Sequence, residues 1–140
     1  MKRILVYLGL GILIVFVVAG CTFGMTLEQR IQKFADDLNL ADRSDIYLNF
    51  HPTSTVDYAE IRDTDYFGIS LPPCEGGDTP YEIVIGDFSN PAAVTATIDS
   101  TAIGFSGPYD VIFTMALDGM DYRIAKMYAD LGAGWYYVVE

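Results

Sequence analysis

The chain has 140 residues, of which 51% are hydrophobic, with 19 acidic and 8 basic side chains and a formal net charge of −11. This acidic balance argues against a nucleic-acid-binding protein and against electrostatic adhesion to anionic lipid, because both need clustered positive charge. Ten Tyr and eight Phe supply enough bulky apolar surface to exclude a disordered chain and to predict a folded domain.

The first twenty residues have the layout of a secretory signal. Lys2 and Arg3 provide a basic start, and the segment 4–18 carries no charge. This apolar segment is somewhat short for a bilayer span, which needs roughly 20 residues. We therefore predict that residues 1–20 are a signal peptide. Because both of its basic residues are removed with it, the mature chain would carry a net charge of −13.

The end of this leader, Val18-Ala19-Gly20-Cys21, resembles the lipobox of bacterial lipoproteins. The resemblance implies cleavage between Gly20 and Cys21 and lipidation of Cys21. The membrane would then be a partner through acyl chains, and the protein would be exported and anchored rather than membrane-spanning. Thr22 stands where an Asp would favour the inner membrane, so in a Gram-negative cell the resemblance implies the outer membrane. The alternative is an uncleaved membrane helix that ends in an incidental cysteine.

After a short tether, residues 21–25, a single domain is predicted over 26–140, beginning with a helix over about 27–40. Thr26 and Gln29 match a capping box, in which two side chains satisfy the first free backbone N–H groups. Apolar side chains then recur at helical spacing at Leu27, Ile31, Phe34 and Leu38. Four charged residues are predicted to lie off this stripe, Arg30, Lys33, Asp36 and Asp37.

Two short helices are predicted next. Asp42 or Ser44 would cap the first, and Pro52 would end it. Its buried side would be formed by Ile46, Tyr47 and Phe50. The second would cover about 54–62. The segment 72–80 is predicted to be a loop, because it contains prolines, glycines and an aspartate.

Beyond this loop the apolar pattern changes from helical spacing to alternation, which is typical of strands. The strand-like segments are 81–86, 94–99, 109–117, 122–128 and 135–139. Asp118-Gly119 predicts a tight hairpin, because a primed turn needs positive φ angles. Consecutive strands joined by short turns pair antiparallel. The predicted fold class is therefore α+β, with N-terminal helices packed on a curved antiparallel sheet of about five strands.

This order of elements resembles the cystatin-like fold, and in particular the nuclear-transport-factor-2-like cone. The likeness is carried by the strand-like segments 111–115 and 122–128, the Asp118-Gly119 turn between them, and Trp135-Tyr136-Tyr137. The resemblance implies a pocket between helices and sheet. Family members use that pocket as an isomerase, cyclase or dehydratase site, as a ligand receptor, or as plain core, so the fold does not select the function.

The candidate pocket residues are Tyr47, His51, Asp57, Tyr58 and Arg123. The resemblance implies a carboxylate base facing a tyrosine, where an apolar pocket tunes the acid and excludes water. His51, the single histidine, is either a base or ligand or a residue that satisfies carbonyl groups at a helix end. The tyrosines are otherwise ordinary core or rim residues. We find no metal-ligand or cofactor-binding motif, so neither metal nor cofactor is expected.

The second cysteine, Cys74, would remain unpaired in an exported protein once lipid occupies Cys21. Its turn-rich surroundings allow an intermolecular disulfide, a redox-sensitive thiol or an inert loop residue. Together these features predict a lipid-anchored cell-envelope domain that binds an envelope protein or a small apolar ligand without catalysis. The alternatives are an isomerase-, cyclase- or dehydratase-like enzyme and a structural envelope lipoprotein.

Overall fold

The computed structural model describes residues 24–41, 43–56, 71, 73–103, 108–130 and 135–139. Within these residues two helices come first, α1 (Leu27–Leu40) and α2 (Arg43–Leu48). Five strands follow, β1 (Glu82–Ile85), β2 (Val94–Asp99), β3 (Tyr109–Asp118), β4 (Asp121–Asp130) and β5 (Trp135–Val139). A 3-10 turn at Thr101–Ile103 precedes β3. The leader, Gly20 and Cys21 lie outside the described residues.

The strands form one antiparallel sheet in chain order, β1-β2-β3-β4-β5. Each strand therefore pairs with its sequence neighbours, as short connections favour. The predicted α+β class with an antiparallel meander is confirmed. The segment 73–80 contains neither helix nor strand, which confirms the predicted loop for the part of 72–80 that the structure describes.

Helix α1 has the predicted bounds and the predicted start. The Thr26 hydroxyl accepts the backbone N–H of Gln29 at 3.2 Å, and the Gln29 side chain accepts the N–H of Thr26 at 3.0 Å. The helix ends at Ala41, which has a left-handed φ of 52° and donates its N–H to the carbonyl of Leu38. Loss of an N-cap such as Thr26 typically lowers the stability of the protein by about 1 kcal/mol.

The predicted end of α2 at Pro52 is wrong, because the helix stops at Leu48. The chain leaves the helix there to pair with the sheet. Phe50 forms a parallel bridge with Ile124, the His51 N–H donates to the Ile124 carbonyl at 2.8 Å, and the Ile124 N–H donates to the carbonyl of Asn49. Of the helix predicted over 54–62, residues 54–56 are not helical and the remainder lies outside the described residues.

The hydrophobic core lies between α1 and the sheet, where α1 contacts β1 and β4. Phe34 is its centre, with its ring edge-on to Phe50 at 5.5 Å and to Phe113 at 6.4 Å between ring centroids. Ten large side chains of this core are less than 2% exposed, Phe34, Phe113, Ile31, Leu38, Ile46, Leu71, Ile98, Ile124, Met127 and Val94. Burial of each of these side chains stabilises the fold by roughly 1.5–3 kcal/mol.

A bulge in β4 changes which residues face this core. Thr114 pairs with Lys126 and Met115 pairs with Ile124, so Ala125 is an extra residue in β4. Strict alternation would place the Lys126 side chain on the same face as buried Ile124. The extra residue shifts the alternation by one position, so Met127 rather than Lys126 faces the core and is fully buried.

The predicted hairpin between β3 and β4 is present, but its turn is one residue further along. Asp118 pairs with Asp121, so the two-residue turn is Gly119–Met120 and not Asp118-Gly119. Gly119 has a φ of 65°, and Met120 has no positive φ. A positive φ at the first central residue alone is the pattern of a type II′ turn, for which glycine is the favoured residue.

Candidate functional site: an apolar groove beside the N-terminal segment

Of the predicted pocket residues, Tyr47, His51 and Arg123 are described, whereas Asp57 and Tyr58 lie outside the described residues. Tyr47 is half-buried and packs against the core cluster. His51 and Arg123 both lie beside the β3–β4 hairpin, through contacts to Leu117 and Asp118 respectively.

The His51 ring connects the chain after α2 to the end of β3. Its Nδ1 accepts the backbone N–H of Thr53 at 3.2 Å. Because a backbone N–H only donates, the ring proton is assigned to Nε2, which donates to the carbonyl of Leu117 at 3.3 Å. Both ring nitrogens therefore have structural partners.

Arg123 connects α2 to the same hairpin. Its guanidinium donates from Nη1 to the carbonyl of Leu48 at 3.0 Å, at the end of α2. Its Nε lies 2.9 Å from Asp118 Oδ2, as an ion pair whose angles fall outside hydrogen-bond geometry. The contact with a free helix-end carbonyl is the role that basic side chains often fill at a helix C-terminus.

A buried polar network joins α1, the chain after α2, and β4. Arg30, Asp37 and Asn49 are 4%, 3% and 0% exposed. Asn49 accepts from Arg30 Nη1 at 3.2 Å and donates from Nδ2 to Asp37 Oδ2 at 2.6 Å. Arg30 Nε donates to the carbonyl of Tyr122 at 2.7 Å. Arg30 and Asp37 lie off the apolar stripe of the sequence, but both are buried.

The physical reason is the spacing of these two residues. Seven positions separate Arg30 from Asp37, which places them two turns apart on one side of α1. That side faces Asn49, so the helix buries charges where a polar partner meets them. The seven-residue interval is visible in the sequence, but it does not show that this side of α1 is buried.

Lys33 and Asp45 extend this network toward the surface. Lys33 Nζ lies 2.8 Å from Asp37 Oδ1 and 3.6 Å from Asp45 Oδ2. The hydrogen bond to Asp37 raises the pKa of Lys33, partial burial opposes that change, and the charges of both carboxylates add to it. Burial lowers the pKa of Arg30, as does the Arg123 charge, whereas Asp121 and Asp37 oppose the change.

At the other end of α1, the N-terminal segment (Gly24–Thr26) lies against the hairpin. A Cβ atom at position 24 would overlap the carbonyl group of Met120. The Met25 N–H donates to Asp121 Oδ1 at 2.7 Å, and the Tyr122 N–H donates to the carbonyl of Met25 at 3.2 Å. The position at which the chain joins the domain is therefore determined by contacts with Met120 in the turn and with the first two residues of β4.

Beside this segment lies an open groove of about 650 Å³. Its walls are residues 24–28, the hairpin residues Leu117, Gly119, Met120 and Tyr122, and Phe88 from the β1–β2 loop. Phe88, Leu117 and Met120 are 50%, 56% and 63% exposed. We call this groove, as lined by these residues, the apolar groove. The candidate residues Tyr47, His51 and Arg123 do not line it.

Hydrogen bonds hold the loop that carries Phe88. The Asp87 N–H donates to the Thr95 hydroxyl at 2.9 Å, and the Thr95 N–H donates to the carbonyl of Asp87 at 3.0 Å. The Ser89 N–H donates to Asp87 Oδ1, and this bond lowers the pKa of the Asp87 carboxyl. Phe88 is thus presented by an ordered loop. Sequence reasoning missed the groove because its members come from three separate segments.

No family model, curated protein or solved structure matches the chain. Among the residues that the structure describes, no helix is long and apolar enough to cross a bilayer. The same residues contain no group of three or more His, Cys, Asp or Glu side chains arranged to hold a metal ion.

Cys74 is half-buried beside the core, and its N–H donates to the Leu38 carbonyl at the end of α1. Burial raises the pKa of the Cys74 thiol, and the nearby Asp78 carboxylate raises it further. Because the thiolate is the reactive form, these surroundings make Cys74 a weaker nucleophile than an ordinary exposed cysteine. Of the three interpretations of this thiol, the geometry favours the inert loop residue.

Proposed function

We propose that this chain is an exported lipoprotein whose mature form begins at Cys21 and is held at a membrane by acyl chains. Its domain serves as a non-catalytic binding or interaction module of the cell envelope, for an envelope protein or a small apolar ligand. The observation that carries the proposal is the motif Val18-Ala19-Gly20-Cys21 at the end of a basic and then apolar leader.

The position of the folded domain relative to this motif supports the proposal. Gly24, three residues after Cys21, is already in close contact with the Met120 carbonyl group. Three residues of extended chain span at most about 11 Å. Acyl chains on Cys21 would therefore hold the domain directly at the membrane surface, without a long flexible linker.

The hydrogen bonds of the described candidate residues support a binding role for the domain over a catalytic one. A general base needs an available lone pair facing its substrate. In His51 the unprotonated Nδ1 accepts the Thr53 N–H, and the protonated Nε2 donates to a backbone carbonyl. Arg123 likewise binds the end of α2. These contacts are those of residues that hold α2 and the hairpin together.

The cystatin-like arrangement is the finer fold that we propose for this domain. Its support is the order of elements, with a long helix first and an antiparallel meander after it. The bulge at Ala125 and a second register shift, between Met127 and Tyr128 where β4 pairs with β5, add to this support, because bulges bend strands and increase twist. An experimental structure in which the sheet bends around α1 would test it, and a flat sheet would contradict it.

Mass spectrometry of the native protein, extracted from bacterial membranes, tests the anchor. We expect residues 1–20 to be absent and Cys21 to carry a diacylglyceryl group. The variant Cys21→Ser should retain the leader and lose the lipid. Cys74→Ser is the matched control and should be processed and anchored as the unaltered chain is. An intact leader with an unmodified Cys21 would overturn the proposal.

A further inference from the structure

Three of the large apolar side chains that the described surface exposes lie together. Phe88, Leu117 and Met120 are each at least half exposed, and all three line the apolar groove. Scattered single hydrophobic residues on a surface need no explanation, but a contiguous patch marks a contact with a membrane or a partner. Leu40 and Val84 are also exposed, but they do not line this groove.

The chain joins the domain at this patch. Gly24 touches the Met120 carbonyl group, and the Met25 N–H is held by Asp121, the first residue of β4. From Gly24 to Cys21 the backbone reaches about 11 Å at most. A lipid anchor on Cys21 therefore keeps the patch, rather than another part of the domain, next to the bilayer.

The far end of α1 is correspondingly remote from the patch. Leu27 lines the groove, and Leu40 ends the helix thirteen residues later. At 1.5 Å per residue this separation is about 20 Å. An interfacial apolar face enters the headgroup and acyl boundary by only about 5–10 Å. The groove end of α1 is therefore the position expected to contact the membrane, and Leu40 at the other end is a reference position in the same molecule.

Charge indicates which lipid the patch suits. Glu28 lines the groove and the partly exposed Asp121 lies beside it, while no basic side chain is among the lining residues. The mature chain would also carry a net charge of −13. Anionic headgroups attract basic segments and repel acidic ones, so zwitterionic headgroups suit this surface.

We propose that the side chains of Phe88, Leu117 and Met120 insert into the interface of a zwitterionic bilayer and orient the domain on the membrane that holds Cys21. This inference rests on the proposed lipid anchor and adds a contact surface and an orientation to it. In this orientation the β3–β4 turn and the β1–β2 loop face the lipid, and the C-terminal end of α1 points into the aqueous compartment.

The test uses the lipidated protein purified from membranes and reconstituted into phosphatidylcholine vesicles. With Cys74→Ser as background, Met120→Cys or Phe88→Cys receives an environment-sensitive nitrobenzoxadiazole label. Leu40→Cys, labelled in the same way, is the matched control. We expect blue-shifted emission at positions 120 and 88, with quenching of at least about twofold by lipids that carry a shallow doxyl group. The label at position 40 should emit as it does in water and resist quenching.

The outcomes separate the two proposals. Vesicle flotation first reports the anchor, and protein that does not float overturns both the anchor and the inference. Protein that floats while labels at 120 and 88 behave like the label at 40 overturns the inference alone. A blue shift that doxyl lipids do not quench would mean that a second copy or another polypeptide covers the patch, and this also overturns the inference.

Discussion

Asn49 donates from its side-chain amide to Asp37 at 2.6 Å, at a depth where both residues are at most 3% exposed. The same amide group accepts from Arg30 through its oxygen. One uncharged side chain thus lies between a buried cation and a buried anion and forms a hydrogen bond with each. Since unpaired buried charges are costly, the packing of α1 against β4 depends on this residue.

We expect Asn49→Ala to reduce the free energy of unfolding by about 2–4 kcal/mol, because it leaves the buried groups of Arg30 and Asp37 short of partners. Urea denaturation of residues 21–140 carrying Cys21→Ser measures this change. Asn90→Ala is the control, because Asn90 bonds the Ala92 N–H in an exposed turn and its loss should cost at most about 1 kcal/mol. Equal losses for the two variants would contradict the role of the network.

Gly24→Ala should detach the N-terminal segment from the hairpin, because the new Cβ would overlap the carbonyl group of Met120. Losing the two backbone bonds of Met25 should cost about 1–3 kcal/mol. The amide of Tyr122, which donates to Met25, should then exchange its hydrogen faster. Gly76→Ala is the matched control, because no atom beyond its two chain neighbours lies within 4 Å of its Cβ position. Unchanged exchange in Gly24→Ala would show that the segment is not held there.

The ion pair of Lys33 with Asp37 predicts a stability that depends on pH. The hydrogen bond to Asp37 raises the pKa of Lys33 above its ordinary 10.5, so the contribution is complete below that pH. It is lost as the pH rises through the folded-state value. The stability difference between the unaltered chain and Lys33→Met should therefore be constant from about pH 7 to 9 and shrink above 10.5. Denaturant titrations across this range measure it.

Gln32→Met is the control for that experiment, since Gln32 bonds exposed Asp36 on the same helix and lacks a titrating group. Its stability difference should stay within about 0.5 kcal/mol and not vary with pH. A Lys33→Met difference that persists undiminished at pH 11.5 would contradict the assignment.

Cys74 should react slowly with iodoacetamide, because burial and the Asp78 carboxylate raise the pKa of its thiol. At a given pH near neutrality, alkylation of the folded Cys21→Ser chain should be slower than alkylation of the same chain in urea. Asp78→Asn should increase the folded rate, whereas Asp36→Asn on α1 should not. A folded rate equal to or above the unfolded rate would restore the interpretation of a redox-sensitive thiol.

Local patterns predicted most of the elements. The capping box at Thr26, the apolar stripe of α1 and the alternation in β2 and β3 all depend on neighbours within a few residues, so the sequence contains the information that they need. The end of α2 and the position of the hairpin turn were wrong. A distant partner decided the end of α2, because Phe50 pairs with Ile124. The register of β3 on β4 decided the turn, because Asp118 pairs with Asp121.

By itself, the sequence determined the helix start, the strand order and the α+β class, because periodicity and capping act over single turns and neighbouring positions. Tertiary structure alone decided that Arg30 and Asp37 are buried, that Ala125 shifts the phase of β4, and that Phe88 meets Leu117 and Met120 beside Gly24. The physical reason is that burial and pairing depend on which surfaces meet between separate parts of the chain, up to 96 residues apart for Met25 and Asp121. Only the folded packing of α1 on the sheet specifies those meetings.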